Sequence, residues 1–207
     1  MAVNSNMTET VRKERKDMAK EIWRAGNMLY PLPAVMVSCA RPGEKPNIIT
    51  VAWTGTVCSA PAMVSISVKP ERYSYEIIRE TGEFVINLTT ERLARATDFC
   101  GVRSGRDVDK FEAMHLTAGA AVHVGAPVIE ESPVNIECRV TQRLELGSHH
   151  MFLAEVLGVD VDGAYLDERG RFDMNRAGMM VYSHGEYFGL GKKLGTFGYS
   201  VRRRKKS

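Results

Sequence analysis

The longest regular alternation in the chain runs from Val134 to Leu146. Val134, Ile136, Cys138, Val140, Leu144 and Leu146 are expected on one face, with Asn135, Glu137, Arg139, Thr141, Arg143 and Glu145 on the other. This period of two predicts a long half-buried strand. Gly147-Ser148-His149-His150 then forms a turn, and Met151 to Val161 returns as a second long strand. Shorter apolar runs predict strands over Ala34 to Cys39, Ile48 to Thr54, Met63 to Lys69 and Glu83 to Leu88. Helical spacing covers Glu91 to Phe99 and a short piece from Tyr75 to Arg79, for which Ser74 is the expected N-cap. A charged helix is expected over Thr8 to Arg24, with Val11, Met18, Ile22 and Trp23 as its narrow apolar stripe. From Ala177 onward, the glycine- and aromatic-rich sequence reads as irregular cover. A long hairpin, several short strands and few helices predict a closed or partly closed antiparallel barrel.

Composition narrows the class. A chain of 207 residues with 44% hydrophobic positions carries the core of one ordinary domain. There is no apolar run long enough for a bilayer and no signal-like start, so a cytoplasmic protein without membrane attachment is expected. The net charge of +3 comes from the run Arg202-Arg203-Arg204-Lys205-Lys206, which leaves the body about neutral. A solvated terminus accounts for that run, and nucleic-acid binding resting on it alone is not expected. Cys39, Cys58, Cys100 and Cys138 contain no C-x-x-C pair, and reduced, mostly buried thiols are the simplest reading. Cys100, beside Gly101 and a polar loop, is the thiol expected to reach solvent.

Familiar catalytic motifs are absent. Gly189-Leu190-Gly191 is followed by glycine only at Gly195, which is wrong for a dinucleotide fingerprint. Gly191-Lys192 is followed by Lys193, where a P-loop needs Ser or Thr. His149 and His150 are adjacent and would face opposite ways on a strand. Chemistry therefore falls to a bound organic cofactor. Two segments suit an anion. At Arg72-Tyr73-Ser74, a strand end, a cation and a helix start meet. In Ser104-Gly105-Arg106-Asp107-Val108-Asp109-Lys110-Phe111, Lys110 brings a compact charge and Gly105 allows close backbone approach. A plain strand–turn–helix corner, and a polar loop capping a short helix with Asp109 or Asp107 as the cap, satisfy the same residues.

Six segments in order give the chain a specific resemblance: the strand at Val35, N-I-I-T-V-A-W-T-G from Asn47, the serine-rich strand with R-Y-S, T-G-E-F-V-I-N, C-G-V-R-S-G-R-D-V-D-K-F and the hairpin containing His149. Together they resemble the flavin reductase-like family, especially its flavoredoxin-type members, over roughly Leu32 to Val161. The resemblance implies a mainly β FMN-binding split barrel with peripheral helices. It divides the chain into an N-terminal helical extension (1–30), the barrel (31–165) and a C-terminal extension with the basic tail (166–207). It also implies non-covalent FMN near the interface of a homodimer. Trp53, Thr54 and Gly55 would line the isoalloxazine or ribityl portion, with Asn47 and His149 near the ring. Ser74 would lie at the ribityl-phosphate end, where Arg72 and Lys110 neutralise the phosphate. Ser59, Ser104 and Tyr182 are further expected neighbours.

The implied activity is that of an FMN-dependent oxidoreductase or electron-transfer flavoprotein. His149 is the residue expected to donate a hydrogen bond to the ring or to a donor substrate. NAD(P)H is one implied electron donor, and a protein redox partner is another. A non-catalytic flavin storage or sensing module is the competing reading.

Overall fold

The computed structural model describes residues 20–201. Most of the helix expected over Thr8 to Arg24 lies outside the described residues, and Lys20 to Arg24 are not helical. In chain order the strands are β1 (Leu32–Pro33), β2 (Val35–Cys39), β3 (Asn47–Val51), β4 (Thr54–Ser59), β5 (Ala62–Val68), β6 (Glu83–Leu88), β7 (Ala118–Gly119), β8 (Val128–Ile129), β9 (Val134–Glu145), β10 (His150–Val161), β11 (Met180–Ser183) and β12 (Glu186–Gly189). Three α-helices interrupt them: α1 (Tyr73–Thr81), α2 (Ala94–Val102) and α3 (Lys110–Ala113).

Seven strands form one antiparallel sheet in the order β3-β2-β6-β9-β10-β5-β4. Its first and last strands, β3 and β4, are separated in sequence only by Ala52 and Trp53. Three Cα steps reach at most about 11 Å, so the sheet must curl until its edges almost meet. The result is a split barrel, with Trp53 at the split. The Ser67 amide donates to the Trp53 carbonyl at 2.8 Å and holds the seam in place. The strand expected to run through Thr54 ends instead at Val51. After the bend, Thr54 and Gly55 belong to β4 and pair with Ile66 and Ser65.

Two cores explain the apolar pattern. Inside the curl, Val35, Val37, Ile49, Ile66, Phe84 and Phe152 pack with Tyr75, Ile77 and Ile78 of α1. Outside it, Met36 and Ile48 meet Leu93, Ala96 and Cys100 around α2, together with Phe111 of α3. Strand β2 is therefore buried on both faces, which is why its sequence lacks a polar–apolar alternation at the start.

The long hairpin forms, with two departures. Thr141 is the extra residue of a bulge, since Gln142 pairs with Leu153 while Val140 pairs with Ala154. A bulge reverses which residues face inward, so Arg143 lies opposite buried Phe152, and Leu144 and Leu146 do not share the face of Val134 to Val140. Asn135 and Glu137, expected to face solvent, are buried beneath the loop before β8. The Glu137 carboxylate accepts the Val122 and His123 amides at 3.0 and 2.5 Å, and Asn135 donates to the Asn87 side chain at 2.7 Å. The region after Ala177 is more ordered than its composition suggests. There β11 pairs with β1 and β12, forming a three-stranded sheet beside the barrel split. Among the described residues, no helix is long and apolar enough to cross a membrane.

Candidate functional site

A trough begins at the split. Its larger chamber, about 360 Å³, is lined by Trp53, Ser67, Lys69, Arg72, His149 and Tyr182, among others. A smaller chamber of about 180 Å³ is lined by Asn47, Tyr73, Ser74, Ser104, Gly105 and Lys110. Arg72, Ile49 and Gly101 line both chambers, so the two adjoin. Beyond Trp53 lies a third cavity of about 340 Å³, to which Trp53, Thr54 and Gly55 contribute.

The small chamber is made by three pieces of backbone. Strand β3 starts at Asn47, whose side-chain amide donates to Ser74 Oγ at 2.7 Å. Helix α1 starts after Arg72, but no side chain caps it. Ser74 is thus a buried first-turn residue held by Asn47, and not the expected N-cap. The loop 103–106 passes so closely over Asn47 that a Cβ at Gly105 would overlap the Asn47 amide and lie 2.9 Å from the Tyr73 ring. Glycine is needed there for close approach. Arg106 fastens the loop from outside, donating to the Glu71 carbonyl at 3.2 Å with its guanidinium 5.3 Å from the Tyr73 ring centroid.

Lys110 forms the floor of this chamber. It is only 3% exposed, and its ammonium donates to the Ile48 and Cys100 carbonyls at 2.6 and 2.8 Å. One donor remains for a ligand. Burial lowers its pKa to about 8, against the partial opposition of Cys39 and Cys100. The lysine is therefore still cationic at pH 7. Asp109 caps α3 by accepting the Glu112 amide at 3.2 Å and pairs with Lys45. Burial raises the Cys39 thiol to about 12 and that of Cys100 to about 11, so neither is an activated nucleophile. Cys100 is fully buried against the outer core, correcting the expectation that it reaches solvent; Cys58 is half-buried.

The larger chamber has an aromatic wall. His149 stacks on Trp53 with centroids 5.7 Å apart and planes at 19°. Burial, followed by the charges of Lys69 and Arg72, holds the His149 pKa below the ordinary histidine range. The ring is therefore neutral at pH 7. His150 faces the other way, into the barrel, where Nδ1 lies 2.6 Å from the Tyr75 hydroxyl. Tyr182 enters from β11. Tyr187 of β12 also lines the chamber beside Asp98, and burial there raises its phenol to about 12.

Among the residues singled out from sequence, Trp53, Arg72, His149 and Tyr182 meet in the larger chamber, and Asn47, Arg72, Ser74, Ser104 and Lys110 in the smaller. Thr54 and Gly55 face the third cavity, while Ser59 stands exposed at the end of β4 and lines none of the three. Thr50, Gly101, Arg103 and Tyr187 were not singled out. For Arg103 the signal was present, in the same loop as Lys110; Tyr187 was hidden in a segment read as irregular. Among the described residues, no group of three His, Cys, Asp or Glu side chains is arranged for a metal.

The structure is thus a split antiparallel barrel whose trough has a cationic end at Lys110 and Arg72 and an aromatic end at Trp53 and His149. The chain belongs to the flavin reductase like domain family, whose model matches residues 27–191. It is similar to flavoredoxin of Desulfovibrio vulgaris (Miyazaki F), with a TM-score of 0.83 and 30% identity over 88% of this chain and 100% of that one. Flavoredoxin from Methanosarcina acetivorans gives a TM-score of 0.78 at 27% identity, covering 89% of this chain and all of that one. An uncharacterized protein of Archaeoglobus fulgidus is 32% identical over 171 residues, or 83% of this chain and 94% of its own length.

Proposed function

We propose that the protein is an FMN-dependent oxidoreductase of the flavin reductase-like family, acting in the cytoplasm. The observation that carries this reading is the pair of adjoining chambers, one floored by buried Lys110 and the other walled by the Trp53–His149 pair. The donor set suits a phosphate monoester. Lys110 and Arg72 match its roughly two negative charges, with Ser74, Ser104 and the first amides of α1 as further donors. The flavin, when bound, supplies hydride or electron transfer.

The chain's own work is positioning. Arg72, at the junction of the chambers, would hold the phosphate while leaving the ring directed toward Trp53. Neutral His149 offers one ring nitrogen as donor and the other as acceptor, and Ser148 Oγ lies 3.0 Å from its Nδ1. The side of the trough nearer solvent is left for NAD(P)H or a protein redox partner. In keeping with the family resemblance, the flavin would lie near the interface of a homodimer.

The test is an absorbance spectrum of the purified chain, and of the chain reconstituted with FMN, before and after anaerobic NADH or NADPH. Flavin bands that bleach rapidly establish a reductase. Bound flavin that neither nucleotide nor a reduced redox protein bleaches makes the protein a storage or sensing module. Failure to take up FMN overturns the reading.

A further inference from the structure

Beyond β12 the chain turns away from the body, and Leu190, Leu194, Phe197, Tyr199 and Val201 are all exposed, Phe197 completely. This arm nevertheless has internal order. The Tyr199 amide donates to the Thr196 carbonyl at 2.9 Å, one turn of 3-10 helix follows, and the Tyr199 ring covers Gly195 so tightly that a Cβ there would lie 2.6 Å from it. The arm thus presents Phe197 outward from an ordered knuckle. Such a concentration of exposed apolar side chains calls for a partner surface.

A complementary surface exists on the same chain. The third cavity, about 340 Å³, lies between residues 27–32 and β4, and its walls include Leu29, Tyr30, Val57, Met151 and Trp53 without any charged residue. Its volume suits one aromatic side chain and its neighbours. Phe197 is fully exposed, so it does not fill the cavity of its own chain. It lies eight Cα steps beyond Gly189, which reach at most about 29 Å, enough to cross onto a neighbour.

We propose that Phe197 of one copy seats in this cavity of a second copy, and reciprocally, in a two-fold dimer with exchanged arms. A second copy is favoured over a lipid or nucleic-acid surface because the concave receptor is uncharged and both halves of the contact belong to this chain. The exposed Leu29 on the cavity wall, with its exposed sequence neighbour Met28, extends the apolar contact. Trp53 lines both this cavity and the ring chamber, so each copy would complete the wall behind the other's Trp53. The proposal specifies the surface of the expected homodimer and does not rest on flavin binding.

Sedimentation equilibrium of the full-length apoprotein tests it. Phe197→Ser is expected to raise the dimer dissociation constant about thirtyfold, the scale of an aromatic anchor at an interface centre. Val57→Glu, on the receptor side, should do the same with an unchanged circular dichroism spectrum. If either variant misfolds, chains carrying Phe197→Cys mixed with chains carrying Leu29→Cys decide the matter, since they should form an intermolecular disulfide. A wild-type monomer at all concentrations, or a dimer indifferent to Phe197→Ser without the disulfide, overturns the proposal. So does Phe197-dependent sedimentation with anionic phospholipid vesicles by a chain that stays monomeric. FMN titration, run separately, reports on the flavin reading alone.

Discussion

At the cationic end of the trough the buried side chains are tied to fixed partners, whereas at the aromatic end Trp53 and His149 stack on each other at an open seam. Lys110 is sealed beneath the floor by two backbone carbonyls, Asn47 is tied to Ser74, and Gly105 lets the loop close over both. Trp53, by contrast, is 41% exposed at a seam where two sheet edges approach without pairing. The difference teaches how one small barrel can divide its labour. On the proposed reading, the end that would recognise the phosphate is ordered before the ligand arrives, so little ordering cost would remain to be met on binding. The end where a second reactant would enter stays open.

The largest effect should come from removing the floor. Lys110→Met takes away the ammonium that donates to the Ile48 and Cys100 carbonyls and the charge that would lie beneath a phosphate. It is expected to cost about 2–4 kcal/mol of stability, together with most FMN affinity. Chemical denaturation of the apoprotein measures the first effect; an unchanged midpoint would show that the carbonyls find other partners. The same structure revises a sequence-based expectation, because a lysine read as a ligand clamp is also a structural tie.

Arg72→Ala removes charge at the junction without opening the core. A charge-assisted contact contributes roughly 1.5–3 kcal/mol, so FMN affinity should fall about 10- to 100-fold while riboflavin affinity is retained. Equal losses for both ligands would place Arg72 at the ring instead. Gly105→Ala forces the loop off Asn47 and should cost about 1–3 kcal/mol. Its loss of FMN affinity should exceed its loss of riboflavin affinity if the smaller chamber holds the phosphate.

Lysine titration gives a subtler test. In the folded apoprotein the Lys110 pKa lies near 8, below its ordinary 10.5. The folded state therefore binds fewer protons between these values, and this group's contribution to stability should rise as pH increases from about 8 to 10.5. A bound phosphate would raise the folded pKa and flatten that rise. FMN affinity should correspondingly weaken above about pH 8, while riboflavin affinity changes less. Thermal melts with and without FMN across that window check the sign. The smallest effect is expected from His149→Ala, less than about 1 kcal/mol in FMN affinity, since a partly exposed stacked ring contributes modestly. A larger loss would mean that the open end also anchors the cofactor.

The sequence made some parts of this architecture legible because local physics decided them. Strand β6 occupies the predicted Glu83 to Leu88, and Asp109 caps the helix expected after it. The alternation in β9 was readable up to Val140, where the bulge intervenes. Other features depended on partners distant in sequence. Ser74 resembled a cap, but Asn47 claims its hydroxyl from 27 residues away. Strands β11 and β12 are only four residues each and acquire their shape by pairing with each other, with β1 alongside β11. Burial of Lys110 required two carbonyls from separate elements to converge, which no spacing rule reveals. The contiguous motifs hold most of the singled-out residues that line the two chambers, although Thr50, Gly101 and Arg103 within them were passed over; from the small second sheet Tyr182 was singled out and Tyr187 was not.

The central claim is that the closed cationic chamber recognises a phosphate and the open aromatic chamber a planar ring. Fluorescence titration of the apoprotein with FMN and riboflavin side by side tests it most directly. FMN should bind about 100-fold more tightly, and Arg72→Ala should reduce that advantage at least tenfold. Equal affinity for the two flavins in the unmodified protein would contradict the account.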